Sequence, residues 1–177
     1  KKKIKGIVLS LLTGGAGNDN YFHWMYDVLP RISICQKIID INKIDFFLLP
    51  DIEKKYQFES LDVLNIPKEK RLSSKYFRHI SADEIIVTDH PYCIKNDADN
   101  EIENIPLWIS QWLKNSVLFK DNQKDTKKFP DKIYIDRSDS VANTKNLRSI
   151  TNEVNVKNLL QKNGFKSITL SNFRFIE

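Results

Sequence analysis

Cysteine is scarce in this chain, and the little present forms no pattern. Cys35 and Cys93 are the only two among 177 residues. They show no metal-type partner spacing and no disulfide framework. Two reduced thiols in a reducing compartment are therefore expected. Long hydrophobic runs are missing as well. No stretch approaches the roughly 18–20 apolar residues that span a bilayer. Lys1 to Lys3 precede only a short strand-like run, Ile4 to Leu12, with no cleavage-site pattern after it. The chain opens on lysine rather than methionine, so it reads as an excised piece from which a targeting segment could have been removed. There is no Walker loop, no Gly-x-Gly-x-x-Gly and no Gly-x-Ser-x-Gly. Internal repeats and low-complexity tracts are also lacking. The lysines are scattered, and no helix carries a basic stripe, so nucleic acid is not expected as the main partner.

What is there suits a packed protein. The apolar fraction is 41% and the aromatic fraction 11%, which excludes global disorder. The length fits one domain, or one domain plus part of another. The net charge of +5 is mostly a solvated lysine surface, and it favours an anionic ligand such as a nucleotide diphosphate.

Strands alternate with helices along the chain. Ile7 to Leu12 is a β-type run ended by Gly14-Gly15-Ala16-Gly17, a cluster that permits positive φ and close backbone approach. Asn20 is a good helix N-cap. The spacing predicts a helix from about Tyr21 to Asp40, which Pro30 should kink or restart. Asp45 to Leu49 reads as a strand, Glu53 to Leu64 as a helix, and Arg71 to Ile80 as a connection with room for a short strand. Glu84 to Thr88 is a strand. Ile105 to Phe119 is a helix with Leu107, Trp108, Trp112 and Leu113 on its apolar side. Lys120 to Asp131 is charged, turn-rich and aperiodic, a candidate linker. Lys132 to Asp136 is another strand. A helix from Asn152 to Asn163, a Gly164 C-cap and a strand at Ser167 to Leu170 follow. The pattern predicts an α/β fold with a mostly parallel sheet. The domain boundaries expected are 1–119, a linker at 120–131, and 132–177. A lone β-α-β tail cannot bury both faces of its sheet. It either completes the first sheet or opens a second domain.

The stretch from Asn20 to Arg31 concentrates chemistry. His23, Asp27 and Arg31 fall at i, i+4 and i+8, one face of a helix, while Phe22, Met25, Val28, Leu29 and Ile32 fall on the other. One turn apart, the Asp27 carboxylate can hold one His23 nitrogen and fix the tautomer. The pair either only satisfies itself or leaves the other nitrogen free for a proton or a hydroxyl. Arg31 is equally a structural partner of Asp27 or a ligand contact. Trp24 is core or a stacking platform. Downstream, Arg137 directly follows the carboxyl end of a strand, the edge where open α/β sheets bind ligands. Arg148 precedes a helix N-terminus. Two guanidinium groups there suit a diphosphate. Glu153 could position Arg148 or accept a ribose hydroxyl. The bland alternative is surface arginines paired with Asp136, Asp139 and Glu153. Asp97-Ala98-Asp99 has the spacing of an Asp-x-Asp metal motif but sits in a very polar run that reads as a solvated loop. His79 is isolated, and His90 before Pro91 reads as a turn residue.

The order Asn20-Tyr21-Phe22-His23-Trp24, then Asp27, then Leu29-Pro30-Arg31, resembles the signature of glycosyltransferase family 61. Tyr134-Ile135-Asp136-Arg137, then Arg148, Asn152-Glu153 and Gly164-Phe165, is similar to that family's second block. Two blocks in order, about a hundred residues apart, are more specific than either alone.

The resemblance implies a two-domain, GT-B-type transferase. It would hold a Rossmann-like, acceptor-side N-terminal domain and the start of a second Rossmann-like domain for the nucleotide-sugar. The family pattern continues past Glu177 into a glutamine and a His-Gly-rich loop. The implied reaction moves a hexosyl or pentosyl unit from a nucleotide-sugar donor to a saccharide hydroxyl, with inversion and without a metal or other cofactor. Inversion needs a base, His23 or next Asp27. Asn20, Trp24 and Arg31 would line the acceptor side or support it. Arg137, Arg148 and Glu153 would serve the donor diphosphate from the other wall of a cleft. Ser138 stands where the family often has a second arginine, which removes one phosphate contact. Capsular or cell-surface polysaccharide synthesis follows, in the cytoplasm, with peripheral membrane association allowed. The rivals are a His/Asp-dependent hydrolase or phosphoesterase, and a non-catalytic saccharide-binding module.

Overall fold

The computed structural model describes residues 1–13, 19–92, 105–118, 130–137 and 150–175. The chain divides into two compact units, 1–120 and 121–177.

The first unit is built on a four-stranded parallel sheet. Its strands are β2 (Ile7–Ser10), β3 (Phe46–Leu49), β4 (Arg71–Ser73) and β6 (Glu84–Val87), in the order β4-β3-β2-β6. The short strands β1 (Lys2–Lys3) and β5 (Ile80–Ser81) pair separately, also in parallel. Parallel strands are usually covered on both faces and so read as continuous apolar runs. The two central strands do: Val8, Leu9, Phe47, Leu48 and Leu49 are all buried. Val8, Leu48 and Leu72 form one face, closed by Phe46, Phe77, Ile80 and others. Leu9, Phe47 and Leu49 alternate onto the opposite face. Trp24, Val28, Leu29, Leu61 and Ile109 are buried as well. Gly6 enters β2 at a φ of 110°, and a side chain there would overlap the Asp45 carboxylate. That carboxylate accepts a hydrogen bond from the Ile7 N–H at 2.8 Å.

The strand order carries a reversal. From β2 the chain steps through β3 to β4, then returns to place β6 on the other side of β2. In open parallel sheets the crevice at such a point, beyond the strands' carboxyl ends, is where ligands bind. Here that crevice lies past Ser10 and Val87, which are partners in register.

The helix expected over Tyr21–Asp40 does restart at Pro30, and it falls into three pieces. These are α1 (Tyr21–His23), a π-helical turn (Trp24–Val28) and α2 (Pro30–Gln36). Pro30 has no N–H to give. The wide turn closes one residue earlier, with the Leu29 N–H donating to the Trp24 carbonyl at 3.1 Å, and Pro30 then opens α2 at its first position. The Glu53–Leu64 expectation becomes α3 (Lys55–Val63). The Ile105–Phe119 helix becomes α4 (Leu107–Leu113) followed by a second π-helical turn (Lys114–Leu118). Its buried face holds Ile109 and Leu113, whereas Leu107 points outward. Trp108 lies under the Lys37 ammonium, 5.5 Å from ring centroid to nitrogen. The short strand allowed for in the connection Arg71 to Ile80 is β4, a full member of the main sheet.

In the second unit, β7 (Ile133–Asp136) pairs in parallel with β8 (Lys166–Thr169), joined through α5 (Glu153–Lys162). Among the described residues, β7 and β8 form a two-stranded sheet of their own. Gly164, at φ 83°, ends α5 as expected.

Candidate active site

The N-terminal candidates assemble at the switch-point crevice. Asn20 caps α1, its side-chain oxygen accepting from the N–H groups of Phe22 (3.0 Å) and His23 (3.4 Å). That cap and the π-helical turn set the local geometry of the next pair. His23 Nδ1 lies 2.7 Å from Asp27 Oδ2. The histidine side chain keeps 32% of its surface exposed and the aspartate side chain 6%. A buried carboxylate is an acceptor with two oxygens to satisfy. The second, Oδ1, accepts the Tyr92 hydroxyl at 2.7 Å. His90 Nε2 stands 3.9 Å from the same oxygen. Tyr92 and His90 arrive on the segment that leaves β6, opposite the segment that leaves β2. Sequence spacing does not disclose them: Tyr92 is 65 positions from Asp27.

Helical spacing correctly puts His23 and Asp27 side by side, but not toward solvent. Asp27 and Arg31 are buried, 4% and 7% exposed. Arg31 makes structural contacts. Its Nε donates to the Asp27 carbonyl at 3.0 Å and its Nη1 to the Thr88 carbonyl at 2.9 Å. It thus ties the start of α2 to the end of β6. Burial pulls the guanidinium below its ordinary range, while the charges of Asp27 and Asp89 oppose that. Trp24 is fully buried and donates its indole N–H to Ser60 Oγ at 2.9 Å. It is a core anchor between the π-helical turn and α3, not an exposed stacking platform. Tyr21 stands edge-to-face on Tyr56, centroids 5.0 Å apart. The Tyr56 hydroxyl is buried with no hydrogen-bond partner among the described residues. Burial first, then the Asp19 charge and Tyr21, push it up to about 12.

In the second unit, Arg137 is exposed immediately past the carboxyl end of β7. Glu153 opens α5, and its Oε1 accepts the Tyr134 hydroxyl at 2.9 Å. Lys157 Nζ is 3.6 Å from Glu153 and 2.7 Å from Asp136. Asp136 therefore accepts a hydrogen bond from a lysine. The Lys157 ammonium is held above its ordinary range, mainly by that hydrogen bond. The Tyr134 phenol is also raised, by desolvation first and then by Glu153. An open cavity of about 700 Å³ runs along the flank of α5, lined by Tyr134, Val154, Lys157 and Leu160 and by Phe165 and Lys166 at the start of β8. Arg137 is not part of that lining.

Several expectations lie outside the described residues: the Gly14–Gly17 turn, Cys93, Asp97 and Asp99, Ser138 and Asp139, and Arg148. Cys35 is a buried free thiol, raised by desolvation. His79 is exposed and away from the crevice residues. Among the described residues, no three or more His, Cys, Asp or Glu side chains gather as a metal site. No helix there is long and apolar enough to cross a membrane.

A geometry of this kind can hold an imidazole in one tautomer. If Nδ1 carries the proton toward Asp27, Nε2 is left with a lone pair at a partly exposed position. A family model described as Glycosyltransferase 61 matches residues 21–177. No curated protein and no solved structure matches the chain.

Proposed function

The chain belongs to the glycosyltransferase 61 family, and from that premise we propose that it transfers a sugar from a nucleotide-sugar donor to a saccharide hydroxyl, with inversion. His23 is the general base. Its Nε2 takes the acceptor hydroxyl's proton as the oxygen attacks the anomeric carbon, and the nucleoside diphosphate leaves from the opposite face. Asp27 orients the ring and stabilises the imidazolium that forms. The observation that carries this assignment is the 2.7 Å contact between His23 Nδ1 and the buried Asp27 carboxylate. Asp27 is the weaker candidate for base, because both its oxygens already accept hydrogen bonds and it is shielded from solvent.

Arg137 and Arg148 stabilise the charge that develops on the leaving diphosphate, so the scheme routes no step through a metal. Glu153 serves that region through the helix start it occupies. In this reading the first unit is the acceptor-side domain of a GT-B-type transferase, and the second opens its Rossmann-like donor domain. The product is capsular or other cell-surface polysaccharide, made on the cytoplasmic side with peripheral membrane association allowed. Those last points rest on the family resemblance.

Calorimetric titration with UDP, GDP, CMP and UDP-N-acetylglucosamine tests the donor half. One nucleotide should bind, and Arg137→Ala should abolish that binding. Transfer assays with the same donor and an oligosaccharide acceptor test the other half. His23→Gln should lower kcat by about 100-fold or more, the usual contribution of a general base. Wild-type turnover in that variant overturns the assignment.

A further inference from the structure

We infer that Tyr92 is a positioning residue for the His23–Asp27 pair, delivered from the far side of the crevice and deciding which imidazole nitrogen is free. This rests on the reading of His23 as the base, but it is separately testable. A carboxylate held at one oxygen can still swing about its own bond. Asp27 is held at both: Oδ2 faces His23 Nδ1 at 2.7 Å and Oδ1 accepts the Tyr92 hydroxyl at 2.7 Å. With Oδ1 occupied, Oδ2 is committed to His23, and the Nδ1–H tautomer is the one that fits. Tyr92 is buried, so water does not readily take over its hydroxyl's place.

The other groups around Asp27 define what happens when that hydroxyl goes. His90 Nε2 waits 3.9 Å from Oδ1. Its Nδ1 lies 2.9 Å from the Tyr92 carbonyl, and the rings of His90 and Tyr92 meet edge-to-face at 4.6 Å. Arg31 holds the Asp27 carbonyl rather than its carboxylate, and Asp89 bears on Arg31. With Nδ1–H donating to the Tyr92 carbonyl, the neutral His90 ring turns its Nε2 lone pair toward Oδ1, so the Tyr92 hydroxyl is the group that donates to that oxygen. Without the Tyr92 hydroxyl, Oδ1 loses its donor, the carboxylate can swing about its bond, and the grip on His23 Nδ1 loosens. Packing alone would not produce this arrangement, since phenylalanine fills nearly the same space as tyrosine.

The test is nitrogen-15 NMR of the histidine side chains in the chain and in Tyr92→Phe, with Trp24 indole N–H as the reporter of an intact fold. The chain should show His23 chiefly as the Nδ1–H tautomer. In Tyr92→Phe that preference should be lost, giving the mixture of an unconstrained imidazole. An unchanged His23 tautomer in Tyr92→Phe, with the Trp24 signal in place, overturns the inference. Should Tyr92→Phe fail to fold, the unaltered chain still decides: a His23 found chiefly as the Nε2–H tautomer contradicts the scheme. In transfer assays Tyr92→Phe should lower kcat about tenfold with KM unchanged, the scale of one hydrogen bond to a charged group. A tautomer that responds while His23→Gln keeps its turnover retains Tyr92's positioning role and removes the base assignment instead.

Discussion

In the unit spanning 1–120, the central strands and the residues leaving them are sealed in a core. Trp24, Leu9, Leu49 and Leu61 are fully buried, and the carboxylate that holds His23 is nearly so. In the unit spanning 121–177, none of the described residues is buried. Ile133, Ile135, Val154 and Leu159 face solvent substantially, and the polar contacts of Lys157, Asp136 and Glu153 sit at the surface of one helix. The two candidate regions are consequently held by different forces. His23 and Asp27 are fixed by packing and by hydrogen bonds in a shielded crevice, where polar interactions are strong and unpaired groups costly. The charged residues around α5 interact in the presence of water and salt, which weaken them.

Truncating the best-buried side chain separates the two units most sharply. Trp24→Ala should destabilise the first unit by about 3–5 kcal/mol in urea unfolding, the usual cost of emptying a buried aromatic site. Leu159→Ala, made on the exposed side of α5, should stay within about 0.5 kcal/mol. Similar values for both would dissolve the contrast. Asp27→Ala comes next. It strands the Tyr92 hydroxyl and frees His23, and should reduce stability by about 2–3 kcal/mol while suppressing transfer.

A smaller effect is expected at alkaline pH. The Tyr56 phenol is pushed up to about 12, above the ordinary value near 10. The folded state then holds that proton more tightly than the unfolded chain. Its contribution to stability is complete below about pH 10 and is lost as pH rises toward 12. The melting temperature should fall over that window, and Tyr56→Phe should flatten the fall while keeping the contact with Tyr21. An equally steep fall in the variant would place the alkaline sensitivity elsewhere. The smallest change is expected from Lys157→Met. It should leave the first unit's melting unaltered and remove the salt dependence of the α5 region, followed by its amide signals between low and high salt.

The parts of this picture that were legible in the sequence are local ones. An i, i+4 relation brings His23 to Asp27 whatever the remainder of the chain does, and the apolar runs at Ile7–Ser10 and Phe46–Leu49 mark buried parallel strands. Asn20 announces a helix start for the same reason. Long-range contacts were not legible. Tyr92 and His90 reach Asp27 only because β6 returns beside β2, and nothing in the spacing of a short strand states where it will pair. The same return buries Arg31 against the Thr88 carbonyl, so a residue with the spacing of a polar face became a tie between elements. Pro30 was readable as a break, but the π-helical turn before it was not, and neither was the bond that its Trp24 makes to Ser60 of α3, 36 positions away.

The central claim is that His23 carries the proton in sugar transfer. Chemical rescue tests it most directly: donor and acceptor are mixed with His23→Ala, and turnover is followed as imidazole is added. The account predicts that the variant is nearly inactive and that added imidazole restores transfer in proportion to its concentration. A variant that keeps wild-type turnover without imidazole would contradict it.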